Sequence, residues 1–325
     1  MKAIVIEEPG PDYRLVLHEI PAPRPGPGQL LIRVAAAGLN NADLLQARGK
    51  YPPPPGASPL LGLEISGTVA DAGDGVTGWK PGDRVCALLP GGGYAEYALA
   101  DAGSVLPVPD GIDLVEAAGL PEAAFTAWAN IIDAGRLQPG ETLLIHGGTS
   151  GIGSLAIQIF AARGHAIFTT AGSDAKCDAA KGLGAARAIN YRTEDFVAVA
   201  KDQTGGTGVD VILDMVGGRY IQRNIEAAAP WGRIVNIAYQ ESFRAEVNFA
   251  PVLAKRLTLA ATTLRGRTPA QKQAIRDTLG EQVWPLLGSR IRPVTHRILP
   301  LADAGQAHEI MAKTGHVGKI LLKTM

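Results

Sequence analysis

The chain has only two cysteines, Cys86 and Cys177, in 325 residues, and its six histidines never fall into ligand-like spacing. Two cysteines exclude a four-cysteine structural zinc site. Their separation, in different predicted elements, argues against a disulfide. An excess of either charge is also missing: Lys plus Arg and Asp plus Glu stand at 31 each. No overall field therefore draws the protein to nucleic acid or to an anionic membrane. Aromatic residues make up 5% of the chain and do not interleave with basic ones in a stripe, which weighs against RNA. No apolar run approaches bilayer length. The chain opens on the strand-like Lys2 to Glu7, without the basic region and apolar core of a leader. The expectation is a cytoplasmic protein with no nucleic-acid and no membrane partner. Repeats and low-complexity linkers are absent, and Pro52 to Pro55 reads as local stiffening of a loop.

What is present is a hydrophobic share of 46% with 40 Gly and 23 Pro, the composition of a turn-rich globular protein whose length favours two domains. Up to about residue 120, short β-like runs alternate with Pro and Gly turns: Gln29 to Ala37, Glu64 to Ala72, Arg84 to Leu89, Tyr94 to Leu99 and Val105 to Val108. That texture predicts an antiparallel, barrel-like domain. From Phe125 strands alternate with helical stretches, the mark of a parallel sheet. Its six predicted strands are Thr142 to His146, Ala166 to Thr170, Arg187 to Asn190, Val209 to Asp214, Gly232 to Ala238 and Leu257 to Thr262. The tail, from about Ala270, has a helix to Leu287, a strand at Val294 to Leu299, another helix and a strand at Val317 to Lys323. It is expected to return to the first domain, with a cleft between the two. The expected boundaries are 1–124 with 270–325, and 125–269.

The most informative segment is Thr142 to Gly153 (TLLIHGGTSGIG), a short apolar strand running through glycines into a helix predicted over Ser154 to Arg163. This is the form of a pyrophosphate-binding turn. On that reading Gly148 permits the tight turn, Gly151 lets backbone approach phosphate, and Gly153 lets helix pack on strand. Thr149, Ser150 and Ile152 complete the turn, and the helix N-terminus offers N–H donors. Ser150 stands where the middle glycine of the fingerprint would be.

Past the second strand, Ala171-Gly172-Ser173 carries no acid, although an NAD site usually places one there to grip the ribose hydroxyls. Ser173 also reads as a helix cap, with Asp174 in its first turn and Lys176 as a solvated cation. His146 reads as a packing residue.

Gly38-Leu39-Asn40, Asp43, Arg48 to Pro52, Leu61 to Gly67, Pro81 to Val85 and Gly93 to Tyr97, in this order, resemble the zinc-independent quinone oxidoreductase branch of the medium-chain dehydrogenase/reductase superfamily. The match runs essentially end to end. Residues 51 to 59 and Thr263-Leu264-Arg265 are most similar to its tumour-suppressor-induced type. The resemblance implies an α/β protein with a GroES-like β-barrel catalytic domain and a six-stranded Rossmann cofactor domain. Asn40 and Leu63 stand where zinc-dependent relatives have Cys and His, so no metal is expected. Ser173, Lys176 and Tyr191 match positions that hold an adenosine 2′-phosphate, which implies NADPH, and Gly172 beside them is a further cofactor-binding candidate. Thr126, Val216, Ile237 and Leu264 match cofactor-side positions, and His316 replaces an amide found in some relatives. Asn40, Tyr51 and Ser150 are the candidates near the reacting nicotinamide. Tyr51 offers a phenol to polarise a carbonyl or give a proton, although an aromatic wall or loop packing against Pro52 and Pro53 is the first reading of such a residue. The implied activity is hydride transfer from NADPH to a quinone. The alternatives are reduction of an alkenal or enoyl thioester, or a binding or structural role as in the related zeta-crystallins. The family also implies a homodimer, through Leu257 to Thr262 or Phe243 to Phe249.

Overall fold

A computed structural model describes residues 1–324. The chain forms β1 (Lys2–Glu7), β2 (Arg14–Glu19), β3 (Gln29–Gly38), α1 (Asn41–Ala47), β4 (Glu64–Ala72), β5 (Arg84–Leu88), β6 (Tyr97–Asp101) and β7 (Val105–Pro107). Next come α2 (Pro121–Trp128), β8 (Leu143–His146), α3 (Gly151–Ala162), β9 (Ile167–Ala171), α4 (Asp174–Gly182), β10 (Arg187–Asn190), α5 (Phe196–Gln203) and β11 (Val209–Asp214). The remainder is α6 (Tyr220–Ala227), β12 (Ala228–Asn236), α7 (Ala250–Lys255), β13 (Thr258–Ala261), α8 (Pro269–Gln282), β14 (Thr295–Pro300), α9 (Ala304–Ala312) and β15 (Lys319–Lys323). Two compact units result, Met1–Phe125 with Arg265–Met325, and Thr126–Leu264.

The first unit holds a seven-stranded sheet in the order β14-β15-β3-β4-β5-β7, with β6 also paired to β3. Every pairing is antiparallel except β14 with β15. The polar-outside alternation of these strands buries Leu30, Ile32, Val34, Ile65, Val85 and Ile320 in one core. Strand β6 begins at Tyr97 rather than at the expected Tyr94. Tyr94 and Glu96 are taken by β1 instead, through Ile4 N–H to Tyr94 O (2.8 Å) and Glu96 N–H to Lys2 O (3.0 Å). Residues 265–269 and Phe125, expected in the cofactor domain, group with the first unit. For residues 265–269 Arg265 explains this, because its guanidinium bonds Gln46, Tyr51 and Pro90.

The second unit is a six-stranded parallel sheet in the order β10-β9-β8-β11-β12-β13. The order reverses at β8, and open parallel sheets bind ligands at such a point, off the strands' carboxyl ends. Strand β8 (LLIH) is buried throughout, as a strand covered on both faces must be. Strand β12 starts four residues before the expected Gly232. The pairing skips at Pro230 and Trp231, which lie where its register with β11 shifts, and a proline there donates no ladder bond.

The glycine turn differs from the expectation in one respect. Gly147, not Gly148, adopts the left-handed conformation (φ +69°) that makes the turn. Gly148 is needed for proximity, since a Cβ there would collide with the Thr169 side chain of the neighbouring strand. Helix α3 starts at Gly151, three residues before its apolar periodicity becomes readable, because Ser150 caps it by accepting from Gly153 N–H at 3.0 Å. A Cβ on Gly153 would lie 2.8 Å from Gly148 Cα. Gly153→Ala should therefore lose about 1–3 kcal/mol by overpacking. Chemical denaturation measures this, and an unchanged midpoint would contradict the packing role.

Candidate functional site

In the second unit, a buried carboxylate organises the carboxyl edge of the sheet. Asp214, at the end of β11, has no exposed surface. One of its oxygens accepts from the N–H groups of Val216 (2.7 Å) and Gly217 (3.2 Å), and the other from the side-chain amides of Asn224 (3.0 Å) and Asn236 (2.8 Å). Asn224 Oδ1 lies 2.7 Å from His146 Nε2, and Thr170 Oγ1 lies 3.1 Å from His146 Nδ1. Nε2 must carry the proton, because an amide oxygen only accepts. Burial pushes the His146 pKa down and outweighs the Asp214 charge, which raises it, and Phe196 and Tyr220 meet its ring edge to face. His146 is thus a neutral structural link. It ties the ends of β8, β9, β11 and β12 beside the Gly147 turn.

The predicted cofactor residues of this unit take up four places. Gly148, Thr149, Ser150, Gly151 and Ile152 form the turn and the first residues of α3. Gly172, Ser173, Lys176 and Tyr191 converge at the ends of β9 and β10. A Cβ on Gly172 would stand 2.6 Å from the Tyr191 hydroxyl, so only glycine leaves the phenol its place. Ser173 caps α4 by accepting from Lys176 N–H at 3.3 Å, and the residue-level reading of a cap therefore holds beside any ligand role. Burial, then the Arg192 charge, pulls the Lys176 pKa down. Two cations thus stand near each other beside an exposed tyrosine. Asp174, the acid nearest this cluster in sequence, accepts from Asn190 Nδ2 at 2.7 Å. Val216 and Ile237 flank Asp214, and Ile237 N–H donates to its carbonyl (2.8 Å). Thr126 and Leu264 are buried at the two ends of this unit's chain.

The first unit carries a second polar cluster. Glu64, fully buried, pairs with the buried Lys319 and accepts from Asn40 Nδ2 (3.0 Å) and Glu122 N–H (2.9 Å). Lys319 Nζ also donates to Asn40 Oδ1 at 2.7 Å. Glu64 is a structural carboxylate, and the Asn40 amide is engaged at both ends. Among the described residues no group of three or more His, Cys, Asp and Glu is arranged to hold a metal ion.

Asp43 Oδ2 accepts from Asn40 N–H (2.8 Å) and Oδ1 from Gly62 N–H (3.0 Å), and the Tyr94 hydroxyl donates to it at 3.3 Å. Beyond Tyr94 lie His308 Nε2 at 3.3 Å and, from His308 Nδ1, the Tyr13 hydroxyl at 2.8 Å. A carboxylate only accepts, so the chain runs one way, from Tyr13 through neutral His308 and Tyr94 to Asp43. Burial raises the Asp43 pKa to about 6, and burial, with the Arg48 charge, lowers that of His308 to about 4.

Tyr51 stands apart from this cluster, with Arg265 5.2 Å from its ring centre. Burial, then the Glu122 charge, raises its pKa, against the Arg265 charge that lowers it.

Sequence reasoning missed Lys319, Asp214 and the His308 chain as site-builders. Lys319 and Glu64 are 255 residues apart, and no local pattern links them. For Asp214 the signal was its place, an acid ending an apolar parallel strand.

Family comparison matches residues 26–110 to the alcohol dehydrogenase GroES-like domain and residues 151–279 to the zinc-binding dehydrogenase family. Rat quinone oxidoreductase is 30% identical over 99% of this chain and 97% of its own length. A phenolphthiocerol/phthiocerol polyketide synthase of Mycobacterium tuberculosis is 35% identical over 98% of this chain, which spans only 14% of that synthase polypeptide. Among solved structures, Escherichia coli quinone oxidoreductase complexed with NADPH matches at TM-score 0.85, 27% identity and 99% coverage of both chains. The CurK enoyl reductase matches at 0.87, 29% identity and 99% and 98% coverage. The expected architecture, a GroES-like domain with a six-stranded parallel sheet, is the one found.

The two perturbed groups make a testable pair. An unfolded histidine takes up its proton near pH 6.5, but folded His308 does so only near 4, so its contribution to stability is full above 6.5 and is lost as pH falls toward 4. His308→Gln removes this dependence. Its stability deficit relative to the parent should therefore shrink between pH 6.5 and 4 in denaturant titrations, and a deficit constant with pH would refute the neutral-histidine chain.

Proposed function

The chain belongs to the medium-chain dehydrogenase/reductase superfamily of oxidoreductases, and from that premise we propose that it is an NADPH-dependent reductase of quinones or similar electron-poor acceptors, working without zinc. The observation that carries the cofactor choice is the cluster of Ser173, Lys176, Tyr191 and Arg192 in the place of an acid, with Asp174 held by Asn190. A hydroxyl, a phenol and two cations suit a phosphate dianion. The N–H groups of the Gly148 to Ile152 turn and the α3 N-terminus would take the pyrophosphate. Thr126 would lie near the phosphates, and Val216, Ile237 and Leu264 along the rest of the cofactor. The NADPH-bound E. coli quinone oxidoreductase supports the same choice.

Bound here, reduced NADPH would supply a hydride. The protein's own part is then binding and orientation, since quinones accept hydride readily. Tyr51, kept protonated by its raised pKa, can donate a hydrogen bond to an acceptor carbonyl. The Ser150 hydroxyl accepts from Gly153 N–H and keeps its own proton to donate. Asn40 would act by holding Lys319 and Glu64 in place. Two buried, unpaired cysteines suit a reducing compartment such as the cytoplasm. Strand β13, at the sheet edge, and the exposed Phe243, Phe249 and Leu253 suit a homodimer.

The likeness to the CurK enoyl reductase and to polyketide synthases favours a second reading, reduction of an enoyl thioester. Initial rates of NADPH oxidation with 9,10-phenanthrenequinone and with crotonyl coenzyme A separate the two. The proposal expects turnover with the quinone; turnover with the thioester alone would replace it. Tight NADPH binding with no turnover on a broad acceptor panel would point to a binding role like that of the zeta-crystallins. Lys176→Ala should raise KM for NADPH roughly 10- to 100-fold, the worth of a charge-assisted hydrogen bond. Its KM for NADH should stay within about twofold, and equal effects on both would remove Lys176 from the phosphate site.

A further inference from the structure

Resting on the reductase reading, we propose that Arg265 is a positioning residue for Tyr51, its guanidinium holding the ring face, the loop carbonyl and Gln46 at once. Arg265 is the first residue of the chain's return to the first unit and is only 8% exposed. Its Nε donates to Pro90 O (2.8 Å), Nη1 to Tyr51 O (3.3 Å) and Nη2 to Gln46 Oε1 (2.8 Å). Gln46 Nε2 in turn donates to Pro59 O at 2.9 Å. One planar fork therefore closes both ends of the 51–59 loop and pins the loop after β5. An ammonium cannot satisfy three acceptors in these directions.

The cation also lies over the Tyr51 ring, with Cζ 5.2 Å from its centre, within the range of cation–π attraction. The charged groups that bear on the pair are Glu122 from α2, Asp43 from α1 and Lys272 from α8, whose Nζ donates to Arg265 O at 3.1 Å. Glu122 disfavours the phenolate and Arg265 favours it. In the reaction, the Tyr51 O–H bond breaks as an O–H bond forms on the reduced acceptor oxygen. The phenolate left behind is stabilised by Arg265 and takes a proton from water. Without Arg265 the loop loses its clasp and the phenolate faces Glu122 alone.

The test compares Arg265→Gln, Arg265→Lys, Tyr51→Phe and the Arg265→Gln/Tyr51→Phe double variant. Phenolate absorbance, read as the difference from the matching Tyr51→Phe protein, reports Tyr51 ionisation without any acceptor. Loss of a nearby opposite charge should move that ionisation up by about half a unit to one unit in Arg265→Gln and leave it in place in Arg265→Lys. With the quinone, both variants should lose about tenfold or more in kcat from misorientation, with KM for NADPH within about twofold. The double variant should be no slower than the slower single. An unmoved ionisation in Arg265→Gln, or losses that multiply in the double variant, would overturn the role. If Arg265→Gln does not fold, Arg265→Lys decides through its kcat loss and the same non-additivity with Tyr51→Phe. A parent enzyme that reduces no acceptor defeats the reductase reading, while the ionisation arm still judges Arg265.

Discussion

A buried charge must be met by donors, and Asp214 shows how much structure that single demand can fix. Its carboxylate has no contact with water, and leaving such a group unpaired costs several kcal/mol. Backbone N–H groups of the following turn and the amides of Asn224 and Asn236 meet it. Because Asn224 also holds His146, the demand reaches across the sheet to the Gly147 turn and to Thr170. The strand ends where a parallel sheet takes ligands are thereby set by one network rather than by each loop separately. The first N–H of the glycine turn, that of Gly147, is itself held by this network, through Thr170 Oγ1 at 3.3 Å.

The first unit repeats the logic with other residues. Glu64 is met by Lys319, Asn40 and Glu122 N–H, and Asp43 by Asn40, Gly62 and Tyr94. The space around Glu64 is thus organised by a fixed ammonium that meets its charge. Tyr51, held by Arg265, is half-buried.

Much of this was readable in the chain. The strands Lys2–Glu7, Glu64–Ala72, Arg187–Asn190 and Val209–Asp214 fall where alternation or a short apolar run places them. The glycine turn was legible because strand, turn and helix are contiguous. Misassignments came where long-range pairing decides. Tyr94 looks like strand but serves β1, and Gly148 looks like the turn residue although a neighbouring Thr169 makes its demand steric. Strand β2 (RLVLHE) was overlooked because its three apolar residues stand together rather than alternating and none of its residues is fully buried. The candidate residues split in the same way. Ser173, Lys176 and Tyr191 were singled out at or near strand ends, whereas Lys319, His308 and Arg265 contact partners more than 200 residues away.

The account stands on the second unit accepting a dinucleotide that carries a 2′-phosphate. Calorimetric titration of the purified protein with NADPH and with NADH, at one ionic strength, tests this most directly. The account predicts NADPH binding at least about tenfold tighter, a difference of about 1.4 kcal/mol. Equal affinity for the two, or a preference for NADH, would contradict it.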